Sequence, residues 1–391
     1  MLQCIVGLPR ILPVLIMLIA FAVSLFATLL LVRSAKMHGH RSGDHDFSRP
    51  QKFHTVAVPR IGGLGIVLGL GAAAGGLAWQ RGATDGQLAF LLMGCAAPAF
   101  LAGFVQDFTE AITPRGRLVA TGVSAVLAFF LMDAAIRTTS IPGLDWLVST
   151  TAGALLLTVF AVAGIANAVN IIDGLNGLAS MCAMLMLGAL AYVAFQVGDQ
   201  LIGLLALAGV GAALGFFLWN FPAGLIFLGD GGAYFLGFLV AELSILLIVR
   251  NPSVSPLFPL LVCIYPAFET IFSMYRRWVL RQQSAHMPDG IHLHSLVYRR
   301  VMRWAVGDRS AKALTRRNSM TSPVLWALCM ASVLPAMLFW DNTVVLTGFL
   351  LMFALSYVTL YWRIVRFRAP RLLRFFGSRS APLDAGDNQR T

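Results

Sequence analysis

Eleven runs of mostly apolar residues, each about 17 to 25 long, occupy most of this chain, and nothing else in it constrains the fold as much. They centre near residues 22, 71, 97, 127, 158, 186, 210, 241, 265, 332 and 353. As a helix, such a run covers the ~30 Å of bilayer hydrocarbon, where each backbone N–H and C=O must be satisfied within the protein. The expectation is an all-α integral membrane protein of about eleven transmembrane helices. Composition agrees: 58% of the 391 residues are hydrophobic and 12% charged, outside the range of soluble globular chains. The first run, ILPVLIMLIAFAVSLFATLLLV, is too long for the core of a signal peptide and is followed by a basic stretch, so it is expected to be retained as a span. The five cysteines, Cys4, Cys95, Cys182, Cys263 and Cys329, are scattered singly and suggest neither a disulfide framework nor a zinc site.

The net charge of +12 raises nucleic acid as a partner, but its distribution argues for membrane topology instead. Lys and Arg number 6 in residues 33–60, 2 in 107–117, 10 in 276–322 and 7 in 363–391. Only Arg10, Arg81, Arg137 and Arg250 fall in the alternate connections. Eleven spans with this asymmetry place the N-terminus outside and the C-terminus in the cytoplasm. The chain divides into a polytopic membrane domain, residues 1–365, and a basic then polar cytoplasmic tail, residues 366–391, with no soluble domain.

On this topology three acids fall at the cytoplasmic ends of different spans: Asp107 in FVQDFTE, Asp173 in NIIDGLNG and Asp230 in FPAGLIFLGDGG, at the exits of spans 3, 5 and 7. Three helices thus deliver a carboxylate each to one membrane face. Asn170 and Asp173 are three residues apart, which on a continuing helix puts amide, carboxylate and the bare backbone of Gly177 on one face. Hard oxygen ligands of this kind suit Mg²⁺, which is commonly held by one or two carboxylates plus substrate phosphates and water. The glycines of GDGG, Gly231 and Gly232, are expected to leave helix N-terminal N–H groups open to an anion. Opposite charge comes from Arg49, Lys52, His54 and Arg60 before span 2, and from His286, His292, His294, Arg299 and Arg300, with Asp289 among them, between spans 9 and 10. His292 and His294 alternate, so in an extended loop they point the same way and suit diphosphate oxygens. Asp133, Glu242 and Glu269 lie within or beside apolar runs at different depths and are expected to serve packing or interhelical hydrogen bonds.

The segments VPRIGG, GFVQDF, NAVNIIDGLNGLA, WNFPAGLIFLGDGG and PDGIHLH, in this order, resemble the motifs of the bacterial polyprenyl-phosphate N-acetylhexosamine-1-phosphate transferases, the glycosyltransferase family 4 enzymes that include the phospho-N-acetylmuramoyl-pentapeptide transferases. The resemblance runs from about residue 46 to 295. It implies an enzyme that moves a sugar 1-phosphate from a UDP-sugar to undecaprenyl phosphate, releases UMP and requires Mg²⁺, with Mn²⁺ as a substitute. By resemblance Asp107, Asp173, Lys52, His292 and His294 are the catalytic residues. Asp230 and Asp173 hold the metal, and His54, Arg60, Asn170, Asn176, Asn220, Gly231 and Gly232 bind substrate. Three positions depart from the family pattern: Gln106 stands for the first of two paired aspartates, Asn176 for the second acid of DGxDG, and Ser295 for the last histidine of HxHH. The implied partners are undecaprenyl phosphate, a UDP-N-acetylhexosamine and the lipid bilayer, with room for a homodimer and no nucleic acid. The implied location is the bacterial inner membrane, with the site on its cytoplasmic face. HLHS lacks the three consecutive histidines typical of the pentapeptide branch, which favours an enzyme starting O-antigen or another surface glycan, with the pentapeptide transferase as alternative. A secondary transporter is the more remote reading, because such proteins place their binding groups near the bilayer midplane.

Overall fold

A computed structural model describes residues 8–42, 58–280, 291–302 and 311–366. Cys4, Arg49, Lys52, His54, His286, Asp289 and the tail from 367 lie outside the described residues. The described residues are nearly all in helices or the short connections between them. It begins with α1 (Leu8–Ser42), α2 (Gly63–Arg81), α3 (Ala83–Thr109), α4 (Pro114–Leu131), the short α5 (Leu144–Val148), α6 (Thr151–Ile172), α7 (Leu178–Gln196), α8 (Gln200–Asn220) and α9 (Gly229–Arg250). It continues with α10 (Leu257–Val262), α11 (Ile264–Tyr275), the single turn α12 (Leu293–Leu296), α13 (Ala311–Leu338) and α14 (Thr343–Val365).

Ten of these helices are long and apolar enough to cross a bilayer. The eleventh expected span, centred near residue 265, is present as α10 and α11, six and twelve residues long. Its break at Cys263 has a local cause: Pro266 carries no N–H for the carbonyl of Val262, so the ladder loses a bond there. Elsewhere the helix starts are those the side chains favour. Thr113 accepts from Gly116 N–H at 3.2 Å with Pro114 in the first turn of α4, Thr150 caps α6 through Gly153 N–H at 3.1 Å, and Asn342 caps α14 through Val345 N–H at 3.1 Å.

The bundle is organised around α9, which is apolar all round and buried along nearly its whole length, as a central helix must be. α3, α6 and α7 pack on it, and α8 carries α1 and α2 on its other side. Small residues let the backbones touch: a Cβ on Gly63 would fall 2.3 Å from the Gly232 Cα, and one on Gly103 would fall 2.5 Å from the Gly231 nitrogen. Outward faces of α4, α6 and α14 expose Phe130, Phe160, Leu351 and Leu355, the complement of a lipid solvent.

Candidate active site

The short turns after α3, α6 and α8 and the starts of α2, α4, α9 and α13 meet at one end of the bundle, and Asp107, Asp173 and Asp230 all lie there. The turn from α8 to α9 is built by pairing with the segment before α2. Phe227 N–H donates to Pro59 C=O at 2.8 Å, and Gly62 and Gly63 N–H donate back to the Phe227 and Leu228 carbonyls at 2.9 Å each. This brings Arg60 under the first residue of α9. Gly229 has φ +78°, and a Cβ on it would lie 2.0 Å from the Arg60 carbonyl oxygen, so only glycine serves both demands.

Asp107, at the last turn of α3, accepts from Asp230 N–H at 2.9 Å and Gly231 N–H at 3.0 Å. It caps α9 from another helix, a favourable place for an anion at the positive end of a helix dipole. The N–H groups expected to be open to a substrate anion are therefore already taken at residues 230 and 231. Gly231 and Gly232 are needed for contact with Phe104 and Gly63. Asp230 itself belongs to the first turn of α9 rather than to the exit of the preceding span. One of its oxygens accepts from Asn170 Nδ2 at 2.8 Å, and the other pairs with Arg117 of α4. The Arg117 guanidinium also stands over the ring of Tyr234, 5.7 Å from its centre, and Tyr234 donates to Asn167 Oδ1 at 3.1 Å.

The helix α6 stops at Ile172, so Asn170, Asp173 and Gly177 do not share a helix face as a continuing helix would have required. Asp173 is the residue that ends α6, its N–H bonded to the Asn170 carbonyl at 3.2 Å, and Gly177 turns the chain into α7 with φ +71°. Asn170 serves Asp230 instead. The Asp173 carboxyl makes no hydrogen bond among the described residues and feels Arg60 and Asp107 nearby. Burial pushes its pKa up to about 8, with the Arg60 guanidinium pulling the other way.

Asn176 and Asn220 are buried in the frame of the site. Asn220 accepts from Gly177 N–H at 2.6 Å and donates to Ile226 C=O at 2.7 Å, tying the two turns together. Asn176 receives nothing from open space: its N–H donates to Asn318 Oδ1 at 2.7 Å, its Nδ2 to Pro222 C=O at 3.3 Å, and its carbonyl accepts from Ser322 at 2.6 Å. Gln106 likewise is occupied, accepting from Ile112 N–H at 2.7 Å across the turn between α3 and α4.

His292 and His294 do point the same way, their rings parallel within 9° and 5.3 Å apart, although His294 is in the turn α12 rather than in an extended strand. Both face Glu269 of α11. Glu269 Oε1 lies 3.1 Å from His294 Nδ1, 3.3 Å from His294 N and 3.8 Å from His292 Nδ1. Glu269 thus makes hydrogen bonds between helices, as expected, and its partners are the two histidines. Glu242, by contrast, is buried in α9 with neither oxygen hydrogen-bonded among the described residues, and Asp133 pairs with Arg137 at 2.5 Å in an exposed connection at the other end. Arg300 caps the last carbonyls of α14, at Ile364 and Val365.

Two residues in this cluster escaped the sequence reading. Arg117 counts there only as a loop charge, yet it falls in the first turns of a helix, where the dipole disfavours a cation, and that mismatch was the available signal. Glu269 carries the general signal of an acid within a span, but its histidine partners come from a segment 25 residues away.

Fold and site together define a polytopic, all-helical membrane protein with a carboxylate- and arginine-lined cluster at one end of its bundle. Residues 89–248, the segment that carries Asp107, Asn170, Asp173 and Asp230, match glycosyl transferase family 4. The chain is 27% identical over 282 residues to a probable undecaprenyl-phosphate N-acetylglucosaminyl 1-phosphate transferase of Bacillus subtilis (strain 168), covering 71% of this chain and 75% of the relative. It is 27% identical over 254 residues to an undecaprenyl-phosphate alpha-N-acetylglucosaminyl 1-phosphate transferase of Thermotoga maritima, covering 65% and 72%. A phospho-N-acetylmuramoyl-pentapeptide-transferase of Geobacillus sp. (strain WCH70) is 29% identical over 200 residues, covering 49% and 61%.

Proposed function

We propose that this protein transfers an N-acetylhexosamine 1-phosphate from a UDP-sugar to undecaprenyl phosphate, releasing UMP, at the cytoplasmic face of a bacterial inner membrane. The observation that carries the reading is the meeting of Asp107, Asp173 and Asp230 with Arg60 and Arg117 at one end of the bundle, where the membrane-length helices end. A transporter would be expected to gather such groups at mid-depth. There, among the described residues, Glu242 is buried alone, away from these pairs.

The second pKa of a phosphate monoester is about 6, so the lipid phosphate is largely dianionic at neutral pH and is itself a nucleophile. Attack on the β-phosphorus of the UDP-sugar then needs positioning and charge neutralisation more than a base. In this reading Arg60 and Arg117 hold phosphate oxygens, His292 and His294 hold the diphosphate, and Asp107 fixes α9 so that Asp230 is presented at a constant place. Lys52 and His54 belong to the same proposal by resemblance. A divalent cation fits the donor set. Asp173 has a carboxyl without a hydrogen bond among the described residues, and Asp230 is held by Asn170, three residues before Asp173, with Arg117 as its present countercharge. Among the described residues no three acidic, histidine or cysteine side chains form a preformed cage. Mg²⁺ held by one or two carboxylates and substrate phosphates needs none. When bound it would neutralise the diphosphate and stabilise the departing UMP.

The relatives named for N-acetylglucosamine transfer favour that sugar class, and HLHS, without three consecutive histidines, favours a role in starting O-antigen or another surface glycan; the pentapeptide transferase is the second reading, favoured by relatives of that name. Purified protein with undecaprenyl phosphate, Mg²⁺ and a panel of UDP-sugars that includes UDP-N-acetylmuramoyl-pentapeptide tests both. UMP release with an N-acetylhexosamine donor is expected. Release only with the pentapeptide donor would install the second reading, and no release with any donor would overturn both.

A further inference from the structure

Among the described residues, Glu269 is the one acid within a span whose partners come from the segment before α13, and it is fully buried. A buried carboxylate survives only with donors or cations against it. Its Oε1 takes His294 Nδ1 and N, with His292 Nδ1 at 3.8 Å, and the Tyr357 hydroxyl of α14 also stands against the carboxylate. Its Oε2 has no hydrogen bond among the described residues, and Tyr265 of its own helix, Tyr357 of α14, Cys182 of α7 and Cys329 of α13 are the other titratable groups around it. A carboxylate only accepts, so the proton of His294 that faces it is on Nδ1. The opposite nitrogen, Nε2, faces the turn that carries Asp173: a Cβ on Gly174 would lie 3.3 Å from it. The loop is held from its other side by Arg276, which is buried and donates to the carbonyl of Ile291, next to His292, and to Tyr361 of α14.

Resting on the transferase reading, we propose that Glu269 is a positioning residue for the reaction: it fixes the Nδ1–H form and the orientation of His294, so that Nε2 is turned to the phosphates beside Asp173. A carboxylate behind a histidine does this in many sites, where the second ring nitrogen sets what the first can do.

The test joins a spectrum to kinetics on the full chain in nanodiscs. Histidine ¹⁵N NMR, with the His294 signals assigned by loss in His294→Asn, should find the neutral ring protonated at Nδ1 in wild type and in Glu269→Gln, which keeps an acceptor. Glu269→Ala should let the proton move to Nε2. Turnover is expected to fall about 10-fold in Glu269→Gln and about 100-fold in Glu269→Ala, with KM for the UDP-sugar within about threefold and partial recovery in Glu269→Asp. In a His294→Ala background, adding Glu269→Ala should cost little more. A wild-type His294 protonated at Nε2 overturns the proposal. So does a Glu269→Ala enzyme that loses turnover with unchanged His294 signals, or additive losses in the double variant. If wild type releases no UMP from any donor, the transferase reading fails, while the wild-type spectrum still decides what Glu269 does to His294.

Discussion

Arg117 stands at the positive end of α4, where the helix dipole costs a cation several tenths of a kcal/mol, and Asp230 is what offsets that cost. If Asp230 is also the cation ligand, guanidinium and metal compete for it. Arg117→Ala is therefore expected to lower the Mg²⁺ concentration for half-maximal rate while reducing kcat, because a phosphate contact goes too. An unchanged Mg²⁺ dependence would detach Arg117 from the metal. Asp230→Asn should abolish UMP release at every Mg²⁺ concentration, and Asn170→Ala, which removes a neutral donor to Asp230, should cost ~1 to 3 kcal/mol, about 10- to 100-fold. Near wild-type rates in Asp230→Asn would remove the assignment. Asn176 makes the opposite case. It stands where the family pattern has an acid, but its amide is packed against the Pro222 carbonyl and Ser319. A carboxylate there sets acceptor against acceptor, so Asn176→Asp should lose ~1 to 3 kcal/mol of stability and gain no activity. A stable, faster Asn176→Asp protein would mean that the site lacks an acid it can use.

Helix ends, more than helix middles, decide how this bundle holds together. At the site, α9 is capped by Asp107 of α3, and at the far end it is tied by Arg250 and Asn251 to Asp199, which caps α8 through Ile202 N–H at 3.3 Å. Arg250 Nε lies 2.6 Å from Asp199 Oδ2. Burial pushes the Asp199 carboxyl up, but hydrogen bonds from Arg250, Asn251 and Ile202 outweigh it and hold the group below the usual carboxylate range. A depressed carboxylate stabilises the fold above its unfolded pKa of ~3.9, and that contribution is lost as pH falls through the lower folded value. Asp199→Asn should accordingly melt several degrees below wild type at pH 7, with the gap closing below about pH 4. A gap that stays constant down to pH 3 would show that Asp199 contributes shape rather than charge.

At the scale of the whole molecule, the apolar runs were legible because the bilayer demands them one by one; ten of eleven became single helices. The exception at Cys263 depended on which carbonyl Pro266 leaves unpaired, a matter of register that hydropathy does not carry. The convergence of Asp107, Asp173 and Asp230 was legible from span order alone, since each occupies a turn on the same side. Their pairings were not, because Arg117 to Asp230 and Asn176 to Asn318 join residues more than 100 apart in the chain. What span order leaves as an inference is which side of the membrane the cluster faces. The proposed reaction puts it in the cytoplasm, as the loop charges also favour, because its nucleotide-sugar donor is taken from that side. Ala111, in the exposed turn between α3 and α4, and Thr138, in the exposed connection after α4, are on opposite ends of one helix and make a paired probe. The four described cysteines are buried, so with Cys4 replaced, Ala111→Cys and Thr138→Cys report alone. Thr138→Cys should react with an impermeant maleimide in intact spheroplasts, and Ala111→Cys only after permeabilisation. The reverse pattern would turn Asp107, Asp173 and Asp230 away from the compartment where UDP-sugars are made, and the proposed reaction would have no donor.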